Sequence, residues 1–308
     1  ARDVAGADSL AWYANVTGDG GFGSPVTVST AVNAPREVAL ADIDRDGDLD
    51  AISASCGDAK VAWYANLDGH GTFGAQQVIS DIESCALSIA VSDIDRDGWP
   101  DVVAAAESSD SVAWFHNDST PGGLGDWART EIASLPAPQA VVVADLDRNG
   151  SPDVVAAASG TPGNTGGVAW FPNYGHGTFG PAQWIVSLDG ARSAWVADVN
   201  GDGAPDVLVA ICNSSLVAWF ANDGTGGTWS GNVVTWTSCP TAVRSGDLDL
   251  DGDADILATF GDHAPAWYKN SGTGAFSGPG PLPGAGLATD VRPADLDGDG
   301  DPDLVAAT

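Results

Sequence analysis

The chain has 308 residues, with 40 Gly, 18 Pro and no Met, and its 42 acidic against 11 basic side chains give a formal net charge of −31. The few Lys and Arg residues form no basic run, which argues against a nucleic-acid partner. No stretch approaches the roughly 18 apolar residues of a membrane-spanning helix. Helix signals are almost absent and turn residues are abundant, so the composition predicts an all-β fold.

The predicted elements start inside a repeat, with two strands around Trp12 and Val26. The first complete repeat then has four short strands, at about residues 38–43, 50–55, 60–66 and 75–80. An acidic loop follows the first strand, a tight turn the second, and a Gly-rich turn the third. The chain ends with a first strand, an acidic loop and a second strand at residues 304–307.

The acidic loop recurs six times, starting at Asp42, Asp93, Asp145, Asp198, Asp247 and Asp295. Each copy has Asp or Asn at positions 1, 3, 5 and 9 and Gly at position 6. Hard oxygen ligands at alternate positions of a tight loop favour calcium, and magnesium is less suited because it requires stricter octahedral geometry. The flanking segments are strands, so the loop is not an EF-hand. The alternative for any single copy is a polar turn without metal.

We predict about six calcium ions, one per loop, with side-chain ligands at positions 1, 3, 5 and 9 and the backbone carbonyl at position 7. The predicted ligand residues are Asp42, Asp44, Asp46, Asp48 and Asp50; Asp93, Asp95, Asp97, Trp99 and Asp101; Asp145, Asp147, Asn149, Ser151 and Asp153; Asp198, Asn200, Asp202, Ala204 and Asp206; Asp247, Asp249, Asp251, Asp253 and Asp255; and Asp295, Asp297, Asp299, Asp301 and Asp303.

Two further markers share the period of 48 to 53 residues. One is Trp, an aromatic residue, any residue and Asn, which starts at Trp12, Trp63, Trp114, Trp170, Trp219 and Trp267. The other is a Gly-rich turn that ends in Phe22, Phe73, Trp127, Phe179, Trp229 and Phe276. Four antiparallel strands per repeat of this length are typical of a propeller blade. We predict a single domain over residues 1–308, a six-bladed β-propeller of four-stranded blades, with the N- and C-terminal strands closing the ring in one blade. A seven-bladed ring is the alternative.

The four cysteines occupy two equivalent pairs of repeat positions, which predicts the disulfides Cys56–Cys85 and Cys212–Cys239. Buried free thiols are the alternative. Disulfides together with calcium sites indicate an extracellular or cell-surface protein, and sequons at Asn15, Asn117 and Asn213 fit that compartment. Because the chain begins at Ala1 without a signal peptide, we expect a processed form or a piece of a larger chain.

The first strands predict a second candidate site at the ring axis. Small residues precede the loops, as expected for innermost strands. Three residues before the last three loops lie Trp195, Arg244 and Arg292, and six residues before two loops lie Arg36 and Arg192. These side chains could hold an anionic group at the axis. The alternative is that they fill the channel together with Asp partners.

No catalytic arrangement is apparent, so we expect that the protein is not an enzyme. The four His residues are His70, His116, His176 and His263, and two of them occupy equivalent Gly-rich turns. A nucleophile elbow, a Cys–His arrangement and a zinc-protease motif are all absent from the sequence.

The acidic loops and the Phe-Gly pairs at Phe22, Phe73 and Phe179 resemble the FG-GAP or VCBS repeats of integrin α-subunit propellers and related secreted proteins. The resemblance covers the whole chain, and it implies calcium-stabilised extracellular binding without a particular ligand. The leading hypothesis is therefore a recognition or adhesion module that binds glycans or proteins. The alternative is a rigid structural module of a larger surface assembly.

Overall fold

The computed structural model describes residues 8–16, 21–118, 127–282 and 286–307. In these residues the chain forms β-strands joined by turns, with one short 3-10 helix at Glu107–Ser109. The all-β prediction is confirmed. The predicted Gly-rich turn before Trp127 lies largely outside the described residues.

Five four-stranded antiparallel sheets follow one another along the chain, each with its strands in sequence order. The first sheet contains β3 Pro35–Ala41, β4 Asp50–Ser55, β5 Lys60–Tyr64 and β6 Gln77–Ser80; the second β7 Ala86–Ser92, β8 Asp101–Ala106, β9 Ser111–His116 and β10 Ala128–Ser134; the third β11 Pro138–Ala144, β12 Asp153–Ala158, β13 Gly167–Phe171 and β14 Gln183–Val186; the fourth β15 Ala191–Ala197, β16 Asp206–Ile211, β17 Leu216–Asn222 and β18 Trp229–Trp236; and the fifth β19 Pro240–Gly246, β20 Asp255–Phe260, β21 Ala266–Asn270 and β22 Phe276–Pro281.

The strand boundaries match the prediction within a few residues. The second strand of the first sheet is confirmed at Asp50–Ser55, whereas the first strand begins at Pro35 and ends at Ala41, before the acidic loop. The third strand ends at Tyr64 instead of residue 66, because the backbone N–H of Asn66 donates to the Asp50 carboxylate. Local hydrogen bonding of the loop therefore shortens the strands around it.

The first strands of the five sheets and the strand β23 Asp290–Ala294 lie side by side, in the order β3, β7, β11, β15, β19 and β23. They form the inner wall of a ring, and each second strand from β4 to β20 is buried along its whole length. Apolar side chains of neighbouring sheets pack together, as where Trp63 and Val61 meet Phe115 and Val102. The core therefore lies between the sheets, as expected for a β-propeller.

The two chain ends form separate two-stranded sheets, which are β1 Leu10–Trp12 with β2 Val26–Ser29 and β23 Asp290–Ala294 with β24 Asp303–Ala307. The prediction of one four-stranded closing sheet is wrong for the described residues, in which β24 and β1 do not pair. β1 has only three residues and an irregular register with β2, so its other edge offers few groups to a partner strand. The number of blades stays a prediction.

Contacts between side chains and backbone nevertheless connect the ends of the ring. The Asn15 amide donates to the Leu296 carbonyl, and the Arg292 guanidinium lies 3.0 Å from the Glu37 carboxylate on β3. An ion pair thus links β23 to β3 across the two chain ends.

Several Trp side chains of the repeat marker, for example Trp114, Trp170 and Trp219, pack against Gly residues of the next sheet. Gly226 has a φ of +68°, and a Cβ added there would lie 2.3 Å from Trp170 Cζ2. We expect Gly226→Ala to lower the free energy of unfolding by about 3 kcal/mol, because it combines backbone strain with a steric clash. Thermal and urea unfolding would measure the change.

Gly163→Ala is the matched control, since Gly163 has a φ of +93° but no atom within 4 Å of an added Cβ. Gly163→Ala should lower the free energy of unfolding by about 1 kcal/mol, because it introduces backbone strain alone. Equal losses in the two variants would show that the Trp170 contact does not hold the sheets together.

Candidate functional site

The six acidic loops share one backbone conformation. In each, the position 1 carboxylate accepts a hydrogen bond of 2.8–3.1 Å from the backbone N–H of the Gly at position 6. Positions 4 and 6 both have positive φ, for example +59° at Arg45 and +101° at Gly47. The loops fold tightly enough to bring alternate carboxylates together.

The Asp at position 9 connects the loop to the sheet. Its Oδ2 accepts from the backbone N–H of loop position 2 at 2.9–3.1 Å in all six loops. Its Oδ1 accepts from the backbone N–H of the repeat-marker Asn at 2.7–2.9 Å in five of them. Burial raises the pKa of Asp101 to about 7 and that of Asp50 and Asp153 to about 6. This carboxylate therefore has a structural role whether or not it also binds a metal.

The repeat-marker Asn residues link each loop to the preceding sheet. The Asn117 amide donates to the Ile43 carbonyl of the previous loop at 3.1 Å and to the Pro100 carbonyl of its own loop at 3.2 Å. Asn173, Asn222 and Asn270 make the corresponding pairs of hydrogen bonds. In the sequence this Asn is apparent only as a marker of the period. Its spacing from the loop is the signal that could have predicted its hydrogen bonds to the loop carbonyls.

The loop residues fit an oxygen-coordinated cation. In three loops, carboxylate oxygens from positions 1, 3 and 9 lie within 4.8 Å of one another, as in Asp42, Asp44 and Asp50. The position 1 Oδ1 atoms of Asp42, Asp93 and Asp145 are buried and accept no hydrogen bond. A buried carboxylate oxygen without a donor is costly unless a cation neutralises it, so these atoms have the environment of metal ligands.

The sheets differ at the third position of the repeat marker, which is Lys269 in the fifth sheet and His116 in the second. Each of these side chains contacts the acidic loop of its own sheet. The Lys269 ammonium donates to the Asp249 carboxylate and lies 3.0 Å from Asp251 Oδ2, and hydrogen bonding to these groups raises the Lys269 pKa. His116 Nε2 lies 3.1 Å from Asp95 Oδ2. The fifth loop thus has a cation of its own beside two predicted calcium ligands.

Both predicted disulfides, Cys56–Cys85 and Cys212–Cys239, are confirmed. Cys56 and Cys212 follow the ends of second strands, whereas the acidic loops precede the starts of the same strands. The disulfides and the acidic loops therefore lie on opposite faces of the ring.

The inner wall encloses a cavity of about 340 Å³ on the ring axis. All five residues of the predicted axis site line it, and these are Arg36, Arg192, Trp195, Arg244 and Arg292. Glu37 and Asp290 also line the cavity, and sequence reasoning did not assign them to it. The structure thus brings the predicted basic residues together and adds two carboxylates.

Part of the basic charge in the cavity is paired. The Arg244 guanidinium donates to Asp290 at 3.1 Å and lies 5.0 Å from the centroid of a Trp195 ring. Arg292 donates to Asp290 at 2.9 Å and to Glu37 at 3.0 Å. These two arginines therefore fill the channel together with acidic partners, as the predicted alternative states. Arg36 and Arg192 have no acidic partner among the residues that the structure describes, and Arg192 donates to Gln139 at 2.8 Å.

Comparison with known families matches an FG-GAP-like repeat five times, at residues 46–104, 93–156, 152–209, 198–258 and 247–306. No curated protein matches the sequence significantly. In the part of the chain that the structure describes, no helix is long and apolar enough to cross a membrane.

The solved structures that are similar in fold include the following three. The BP39L lectin from Burkholderia pseudomallei has a TM-score of 0.67 and 18% identity over 93% of this chain and 82% of that chain. BBS1N in complex with ARL6DN has a TM-score of 0.61 and 12% identity over 97% and 80% of the two chains. An Agrocybe aegerita lectin that recognises non-reducing terminal N-acetylglucosamine has a TM-score of 0.57 and 20% identity over 97% and 85%. At these identities, the similarity establishes a propeller fold alone.

Proposed function

Because the chain belongs to the FG-GAP-like repeat family, we propose that it is an extracellular, calcium-stabilised module that binds glycans or proteins and has no catalytic activity. The observation that carries this proposal is the axis cavity, in which polar and basic side chains converge on a concave surface within a rigid ring. A site of a few hundred cubic ångströms with a few placed polar groups is typical of ligand recognition.

Calcium is supported by the donor set of the loops. Their oxygens are hard ligands, and buried position 1 oxygens of three loops lack hydrogen-bond donors. Asp and Asn at positions 1, 3, 5 and 9 of the loops would hold the ion, with the position 7 carbonyl. Bound calcium would offset the repulsion between the clustered carboxylates, which contribute 25 of the 42 acidic residues of the chain.

Two observations support the binding role and its location. The disulfides favour an oxidising compartment. Two similar structures are lectins and a third is a protein complex, so the same fold serves both kinds of ligand elsewhere.

The calcium-loaded chain should be applied to an array of glycans and to a panel of extracellular proteins. We expect saturable binding to one class of ligand, without chemical change of that ligand. Absence of binding to both collections, or turnover of a bound glycan, would contradict the proposal.

We expect the Lys269 contact to weaken calcium binding at the fifth loop. Calcium must displace an ammonium group from Asp249 and Asp251 before it can use both carboxylates. Lys269→Ala should therefore tighten calcium binding at this loop severalfold and leave the other loops unchanged. Calorimetric calcium titration of the two proteins would measure it.

Lys60→Ala is the control, because Lys60 pairs with Asp58 in a turn on the other face of the ring. An unchanged titration curve for Lys269→Ala would show that the ammonium does not compete with calcium.

A further inference from the structure

The mouth of the axis cavity is formed by the residues that lie six positions before each acidic loop, which are Arg36, Leu87, Gln139, Arg192, Thr241 and Thr289. In the first five inner strands, this residue is the extra residue of a β-bulge. A bulge interrupts the alternation of side chains, so this residue and the next one both face the axis. Arg36 and Glu37 accordingly line the same cavity.

The charged side chains that line the cavity comprise four arginines and the carboxylates of Glu37 and Asp290. Both carboxylates bind the deeper arginines, Arg244 and Arg292. The remaining excess of two positive charges belongs to Arg36 and Arg192, in a chain whose formal net charge is −31. The mouth is thus a local basic site on a strongly acidic protein.

Arg36 and Arg192 lie on different sides of the mouth. Arg36 is on β3, and Arg192 is on β15, which is three inner strands further along the ring. Gln139 orients Arg192 through a hydrogen bond of 2.8 Å. The Arg36 side chain is exposed and makes no hydrogen bond or ion pair with the described residues, so its guanidinium donors are available to a ligand.

We propose that the mouth of the axis cavity binds a carboxylated sugar residue, with its carboxylate between Arg36 and Arg192. This inference rests on the proposed binding function and names the class of ligand. The planar guanidinium group matches a carboxylate with paired hydrogen bonds. Thr241 and Thr289 lie at the same level. Their hydroxyl groups contact the Thr259 hydroxyl and the Ala307 carbonyl, and their oxygens can still accept hydrogen bonds from sugar hydroxyl groups.

Cavity size favours a sugar over an acidic peptide. A volume of about 340 Å³ lies at the lower end of the range for small-molecule sites. It accommodates one sugar residue, whereas an acidic peptide would have to place most of its carboxylates outside, against a surface of the same charge.

The test is calorimetric titration of the calcium-loaded protein with D-glucuronate, with D-glucose as the neutral probe. We expect glucuronate binding that exceeds glucose binding and falls at least about tenfold in Arg36→Gln/Arg192→Gln, because charge-assisted hydrogen bonds are lost. Lys60→Gln removes a positive charge outside the cavity and should leave binding unchanged. Melting temperatures in calcium should agree, which shows that each variant is folded.

A glucuronate-terminated oligosaccharide distinguishes a glycan end from a free acid, and comparable or tighter binding of it supports the proposal. Equal binding of glucose and glucuronate, or unchanged binding in the double variant, would overturn it. Arginine-dependent binding of an Asp-rich peptide but not of glucuronate would also overturn it. If array glycans bind the wild type and the double variant equally, the proposed function stands and the axis site does not.

Discussion

Removal of calcium is expected to lower the melting temperature of the protein by about 20 °C or more. An ion that binds only the folded state at 100 times its dissociation constant stabilises that state by about 2.7 kcal/mol, and several loops contribute together. In a domain of this size, 1 kcal/mol corresponds to roughly 2 °C. Chelation also leaves carboxylates such as Asp42 and Asp44 close together without a counter-ion. Differential scanning calorimetry with and without EDTA measures the effect.

Magnesium is the control cation, because it matches the charge of calcium but fits a flexible set of oxygen ligands poorly. Re-addition of calcium to the chelated protein should restore the melting temperature, and the same concentration of magnesium should restore little of it. An unchanged melting temperature in EDTA would show that the loops do not depend on calcium for stability.

The second large effect is expected for Asp101→Ala, at position 9 of the second loop. The buried carboxylate accepts backbone hydrogen bonds from Ile94 at 3.1 Å and from Asn117 at 2.8 Å. Its removal leaves two buried N–H groups without acceptors and should cost about 3–5 kcal/mol. Unfolding in urea, in the presence and absence of calcium, would measure the loss.

Asp97→Ala is the matched control, since Asp97 is a predicted ligand of the same loop but is partly exposed and lies outside the sheet. It should destabilise the protein in calcium and have little effect in EDTA, whereas Asp101→Ala should destabilise it in both. Asp101→Asn retains an oxygen acceptor, so its free energy of unfolding should lie between those of the wild type and of Asp101→Ala. Equal behaviour of Asp97→Ala and Asp101→Ala would contradict the structural role of position 9.

The raised pKa of Asp101 predicts the direction of the pH dependence. Because burial raises this pKa to about 7, the folded, metal-free state binds a proton that the unfolded state releases above its ordinary pKa of 3.8. The stability that this protonation contributes is present at low pH and is lost as the pH rises through 7. In EDTA, the stability difference between wild type and Asp101→Ala should therefore be larger at pH 5 than at pH 8.

The period of the chain made most of the fold predictable. The acidic loop, the Trp marker and the cysteine spacing each recur in register, so the order of strands and both disulfides follow from sequence positions. Strand ends were less accurate, because hydrogen bonds such as that from Asn66 to Asp50 replace ladder bonds near the loop. The closing sheet could not be predicted, since pairing of the two chain ends has no local sequence signal.

The axis site was predictable in its arginines but not in its charge balance. Arg244 and Arg292 each lie three positions before an acidic loop, which predicts that they face the axis. Both residues line the axis cavity in the structure. The bulges turn both Arg36 and Glu37 toward the cavity. No residue pattern in the sequence distinguishes a bulged strand from a regular one here. For the same reason the pairing of Asp290 with two arginines emerges only from the three-dimensional arrangement.

Native mass spectrometry of the protein at millimolar free calcium tests the central claim most directly, because it counts the bound ions. The structure of the loops predicts about six bound calcium ions, one per loop, and the fifth loop of Lys269→Ala should fill at a lower free calcium concentration than that of the wild type. A spectrum without retained calcium under these conditions would contradict the account of the acidic loops as the metal sites that stabilise the ring.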